Sequence, residues 1–199
     1  MKLVELVKNS YDKIGERYQA FRDSHKIDGE LAKIAKMLPE KAHVLDAGAG
    51  AGIPVAKFLT EQGIKVTGVD VSETMVNLAQ KNVPKAAFLQ KDILTLDFPD
   101  ETFEGIICLY TLWHIPRERH RAIFKNFHRM VKKGGLLVIN TGARASEGLS
   151  LFFGEPMLWS NHPPQKTLEL VKTVGFSIEF EGVLERGGEY QYWVFARKI

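Results

Sequence analysis

Residues 44–52 of this chain read VLDAGAGAG, an apolar run that ends in an acid and passes into three glycines at alternate positions. No other stretch constrains the fold as tightly. The run Ala42–Ala47 reads as a buried strand, and Ile53–Glu61 beyond the glycines reads as a helix, with Pro54 tolerated in its first turn. Glycines between a strand and a helix allow left-handed backbone and let a ligand touch the main chain. The helix end behind them presents free N–H groups and a partial positive charge, so a carboxylate or phosphate can sit there. Asp46, at the end of the strand, repels a phosphate and suits a cation, directly or through water.

Alternation of strand and helix continues along the chain. Apolar residues at helical spacing mark 3–19 (Leu3, Leu6, Val7, Ile14), and a second helix is expected over 28–37, ending near Pro39. Strands are expected at 65–70, 86–90, 103–109 and 136–141, with helices at 72–82, capped by Ser72, and at 117–131. Segment 142–163 reads as irregular and rich in aromatics, and 164–174 as helical. Residues 176–184 and 190–196 alternate around Gly187–Gly188, the pattern of a hairpin. The pattern predicts an α/β fold, doubly wound, with a mostly parallel seven-stranded sheet and a C-terminal antiparallel hairpin. A length of 199 residues suits one domain, with 1–38 as an N-terminal helical cap. In such sheets a ligand sits beyond the carboxyl ends of the strands. That rule selects the residues after Ala47, Asp70, Lys91–Ile93 and the residues after Leu109.

Composition narrows the partners. The formal net charge is +3, and basic residues are interleaved with acidic ones, so nucleic acid is disfavoured. A single cysteine, Cys108, leaves no internal disulfide and no Cys-cluster metal site, which favours a reducing compartment. The opening MKLVELVKNSYDKIGERY carries charge in every turn and reads as neither a signal peptide nor a membrane span. The expectation is a soluble cytoplasmic protein, monomer or homodimer, without a membrane partner. No His/Asp/Glu cluster stands at ligand spacing, so no metal is expected.

The glycine spacing is G-x-G-x-G followed by Ile53, which departs from the dinucleotide pattern G-x-G-x-x-G. With Asp70 eighteen residues after the last glycine, it resembles motif I of the class I S-adenosylmethionine-dependent methyltransferases. The resemblance extends to GVDVSETMVNLAQ (68–80), QKDILTLDFPDETFEGIICLYTLWHI (90–115) and MVKKGGLLVI (130–139), and is closest in general to the small-molecule methyltransferases. It implies a Rossmann-like fold, S-adenosylmethionine as cofactor, and in-line methyl transfer to a small-molecule substrate. Much of such catalysis can come from holding donor and acceptor at near-attack distance.

It also implies roles. Asp70 would accept from the ribose hydroxyls, or else cap the next helix. Gly48 and Gly50 would approach the methionine half, with Asp46, Ala49 and Gly52 also in the cofactor site. Val71 and Met75 would pack on the adenine, with simple core packing the alternative for Met75. Asp92 and Ile93 would meet the adenine edge, and Leu109 would touch the methionine moiety through its main chain. Tyr11 and Tyr18, seven residues apart on one helical face, would cover the cofactor or serve the core. A ring near the sulfonium would add cation–π attraction. The substrate pocket would draw on Tyr110, Trp113 and His114, with Phe152, Phe153 and Trp159 in a lid at 142–163. His114 is read either as a general base or as a pocket wall. Asp97 and Glu104 are assigned no chemistry. Competing readings are an RNA- or protein-modifying methyltransferase, a nicotinamide oxidoreductase, and a non-catalytic cofactor-binding regulator.

Overall fold

The computed structural model describes residues 3–22 and 27–199, so residues 1–2 and 23–26 of the expected cap lie outside the described residues. The chain runs α1 (Leu3–Arg22), α2 (Asp28–Met37), β1 (His43–Ala47), α3 (Val55–Glu61), β2 (Lys65–Asp70), α4 (Glu73–Asn82), β3 (Ala87–Gln90) and β4 (Phe103–Cys108). It continues through α5 (His120–Met130), β5 (Val131–Gly142), β6 (Ser146–Phe152), β7 (Glu155–Asn161), α6 (Pro164–Thr173), β8 (Phe176–Arg186) and β9 (Glu189–Lys198). Seven strands form one sheet in the order β3-β2-β1-β4-β5-β9-β8. The first five are parallel, and β9 and β8 close the edge antiparallel.

Strand alternation explains the two cores. Successive side chains on a strand point to opposite faces. Leu136 and Val138 of β5 therefore enter one core with α2, α3 and α4, while Leu137 and Ile139 enter the other with α5 and α6. Central strands buried on both faces read as continuous apolar runs, as in GIIC (105–108) and LLVI (136–139).

A third, smaller core lies over the carboxyl side of the sheet. Leu6, Val7, Tyr11 and Ile14 form the buried stripe of α1 and pack on Ala51, Met75, Met157 and Leu158. Asp12 fastens α1 to the start of α4: Ser72 Oγ donates to Asp12 Oδ1 at 2.6 Å and Thr74 Oγ1 to the Asp12 carbonyl at 3.0 Å. Ser72 Oγ in turn accepts from the Met75 N–H at 3.2 Å, the N-cap expected from the sequence.

Three sequence expectations change. Segment 142–163 is not irregular: β6 and β7 form an antiparallel two-stranded sheet of their own. Its turn is Phe153–Gly154, both with positive φ (51° and 85°), the backbone of a primed hairpin turn. Asn-Gly would have announced that turn, whereas phenylalanine concealed it. The helix expected from Arg117 opens with a single tight turn, Arg117–Arg119, before α5 begins at His120. The helix expected from Ile53 starts at Val55, with Pro54 as its N-cap residue. Among the described residues no helix is long and apolar enough to cross a membrane.

Candidate cofactor and substrate cleft

In the sheet order, β1 lies between β2 and β4, where the winding of the chain reverses. Ligands of open α/β sheets bind at that switch point. A cleft opens there with about 1020 Å³ of empty space, open solvent at its mouth included. It is walled by the glycine loop, the ends of β1, β2 and β4, the turns after β3 and β4, and one face of α1.

The glycine loop is held from two sides. The Gly48 and Ala49 N–H groups both donate to the Val69 carbonyl at 2.9 Å, and the Gly50 N–H donates to Asp70 Oδ2 at 2.9 Å. The glycines serve different ends. A Cβ on Gly48 would stand 2.0 Å from Thr111 Oγ1, so this glycine (φ +82°) lets the turn after β4 approach. A Cβ on Gly50 (φ +53°) would meet nothing within 4 Å, leaving that backbone open to the cleft. Gly52 (φ +77°) faces Phe88, Val83 and Ala79 and does not line the cleft.

Two carboxylates dominate one side. Asp46 is 2% exposed, and its Oδ2 has no hydrogen-bond partner. Burial, reinforced by the nearby Asp70 charge and opposed by the Ala56 N–H, pushes its pKa up to about 7. Asp70, at the end of β2, accepts from the N–H groups of Gly50 and Ser72 through different oxygens. Burial raises its pKa also, against the backbone N–H groups of Ser72, Gly50 and Val71. An isolated buried carboxylate oxygen is costly. A cationic donor such as an α-ammonium would complete Asp46, so the residues present fit S-adenosylmethionine.

Val71, Met75, Lys91, Asp92 and Ile93 continue this wall. The Asp92 side chain accepts from the Leu94 N–H at 2.9 Å and caps the tight turn Ile93–Thr95. Lys91 leans away to Asp97 at 3.0 Å.

The other side follows β4. Leu109, Tyr110, Thr111, His114 and Ile115 line it. Tyr110 holds a positive φ of 58°, unusual for a bulky residue. Its N–H donates to the buried Asn140 Oδ1 at 2.6 Å, and Asn140 donates onward to Gln191 Oε1 at 3.1 Å. Asn140 and Gln191 are not legible in the sequence, because an amide inside an apolar strand carries no local signal of its partner on another strand.

His114 is a junction. Leu158 O is an acceptor only, so the 2.8 Å contact places the proton on Nδ1 and leaves Nε2 as acceptor. Nε2 receives the Trp113 indole N–H at 2.9 Å and stands 2.9 Å from the Tyr11 hydroxyl. Burial lowers the pKa to about 4, only partly offset by the bond to Leu158, so the ring is neutral at pH 7.

Tyr11 and Tyr18 both line the cleft, with their rings 5.2 Å apart edge to face. Trp113, Phe152, Phe153 and Trp159 stand behind that lining. Phe152 and Phe153 pack on Tyr18 at 5.7 and 6.4 Å, and Trp159 packs on His114 at 4.8 Å.

Residues 44–135 match a family model described as a methyltransferase domain. A curated relative is the 27-O-demethylrifamycin SV methyltransferase of Amycolatopsis mediterranei, 31% identical over 115 residues, which cover 54% of this chain and 42% of that protein. The chain thus spans less than half the length of that relative. Among solved structures, a S-adenosylmethionine-dependent methyltransferase from Methanosarcina mazei superposes with a TM-score of 0.75 at 20% identity, covering 83% of this chain and 96% of that one. Magnesium protoporphyrin IX methyltransferase from Synechocystis, solved with S-adenosylhomocysteine, gives 0.70 at 22% identity, covering 86% and 81%. Likeness at these identities establishes the fold. The glycine loop and the strands that follow it thus match a methyltransferase domain, on a fold shared with solved S-adenosylmethionine-dependent methyltransferases.

Proposed function

We propose that this chain transfers a methyl group from S-adenosylmethionine to a small-molecule acceptor by in-line displacement. The observation that carries the reading is the buried, unpartnered Asp46 carboxylate oxygen facing a cleft at the switch point. When bound, the cofactor supplies a methyl group activated by a sulfonium with a neutral leaving group.

The roles of the chain's own residues follow from their placement. Asp46 and the open Gly50 backbone hold the amino-acid end, with Gly48 and Ala49 shaping that loop. Asp70 keeps free lone pairs on both oxygens for the ribose hydroxyls. Val71, Met75 and Ile93 flank the base, and Asp92 accepts at its edge. Leu109, with the main chain after β4, sets the depth of the methionine arm. Tyr11 and Tyr18 roof the reacting end and exclude water. His114 acts as a positioning residue: its acceptor nitrogen is engaged by Trp113 and Tyr11, and burial keeps it from taking up a proton at pH 7. The β6–β7 hairpin, through Phe152, Phe153 and Trp159, backs this roof and forms the acceptor lid.

Thermal shift with S-adenosylmethionine, S-adenosylhomocysteine and NAD tests the reading. A ligand at a hundredfold excess over its Kd adds about 2.7 kcal/mol of stability. A response to the first two and none to NAD is expected, and a response to NAD alone refutes the proposal. Release of labelled methyl to small-molecule acceptors separates an enzyme from a cofactor-binding regulator.

A further inference from the structure

The charged residues that line the cleft are distributed unevenly. Among the described lining residues they are Asp46, Asp70, Lys91 and Asp92, and all four belong to β1, β2 or the turn after β3. In the sheet order these strands lie together on one side of the switch point, while β4 and β5 lie on the other. The half of the cleft that follows β4 is lined by Leu109, Tyr110, Thr111, His114 and Ile115, under the rings of Tyr11 and Tyr18. No described residue there carries charge at pH 7.

Two ion pairs fasten the roof above: Lys13 with Glu155 at 2.8 Å and Arg117 with Glu147 at 3.0 Å. Inside the cleft the polar groups of this half hydrogen-bond but do not neutralise. The Tyr11 hydroxyl is held 2.9 Å from His114 Nε2, and Thr111 Oγ1 donates to the Leu109 carbonyl at 3.0 Å. Behind this half Trp113, Phe152 and Trp159 pack ring against ring, an apolar backing that offers no counter-charge.

From this distribution we infer that the acceptor end takes an uncharged molecule, with an apolar body and a hydroxyl or similar hydrogen-bonding group that meets Tyr11. This rests on the methyl-transfer reading above and names its substrate class. An ion entering this half would lose its hydration and find no counter-charge from the protein, a strongly unfavourable exchange. A neutral hydroxyl loses less water and recovers a hydrogen bond. The neutral state of His114, imposed by its burial, is consistent with the same environment.

The test uses the full chain saturated with S-adenosylhomocysteine and isothermal titration of three bicyclic phenols. One is unsubstituted, one bears a sulfonate and one an alkylammonium group at the far end of the ring system. The neutral phenol is expected to bind at least about tenfold more tightly than either charged partner, a difference of about 1.4 kcal/mol. Equal or tighter binding of a charged member overturns the inference, and so does failure of all three to bind the loaded protein. Failure of S-adenosylhomocysteine itself to bind would instead defeat the methyl-transfer reading.

Discussion

The two halves of the cleft are built differently. The half over β1 to β3 is made of short-range features: a glycine loop, a strand-end acid, an N-cap and an acid two residues after a strand. The half over β4 and β5 is made of long-range ones: a strained Tyr110 tied to Asn140, and a histidine shared among α1, the turn after β4 and β7. The first can change little without losing the donor. The second rests on packing, which tolerates changes of shape so long as volume is kept. That difference explains how one donor site can serve many acceptors on one fold.

The comparison can be broken at several points, the largest effect first. Gly48→Ala should cost about 3 kcal/mol, because alanine strains a backbone at φ +82° and its Cβ falls 2.0 Å from Thr111 Oγ1. Urea denaturation measures the loss, and a stable Gly48→Ala protein would show that the loop and Thr111 can separate. Asp70→Ala should weaken S-adenosylhomocysteine binding about a hundredfold by removing charge-assisted acceptors. Calorimetry that finds binding unchanged would move the ribose elsewhere.

Asn140→Leu probes the other half. It strands the Tyr110 N–H and should cost about 1–3 kcal/mol while leaving donor affinity within a fewfold. Equal losses of donor and acceptor binding would mean that the halves are not separable.

A pH series sharpens the donor side. The folded pKa of Asp46, about 7, lies above its ordinary value of 3.8. The folded protein therefore holds the extra proton between these values, and stability falls as pH rises from about 4 to about 7. A bound ammonium prefers the carboxylate, so donor affinity should rise by up to about tenfold between pH 6 and pH 8. Asp46→Asn should flatten that slope. The smallest effect is expected from Lys13→Ala, which removes a largely exposed ion pair between α1 and β7 and should cost no more than about 0.5 kcal/mol. A larger cost would show that this pair, and not the aromatic packing, holds the roof.

Lining residues are legible in the sequence on both sides: Asp46, Gly48, Gly50, Asp70, Val71, Asp92 and Ile93 on one, and Leu109, Tyr110, Thr111 and His114 on the other. Each follows or ends a strand whose apolar pattern marks it. Gly52 carries the same motif, yet its backbone turns toward Phe88 and Val83, since a motif lists residues without saying which way each faces. The aromatics of 142–163 are visible in the sequence, but their hairpin is not, for its turn uses a phenylalanine where Asn or Gly gives the usual signal. Asn140 and Gln191 were hidden because their partners lie thirty and fifty-one residues away.

By itself the sequence determined the alternation of strands and helices, and with it the switch point and the acidic half of the cleft. Those features depend on periodicity and on neighbours a few positions apart. Only the tertiary structure decided that His114 is a neutral clamp, that Asp46 is left with an unpartnered oxygen, and that the half of the cleft after β4 is lined without charge. Burial and partner choice set those properties, and both arise only when distant segments pack together.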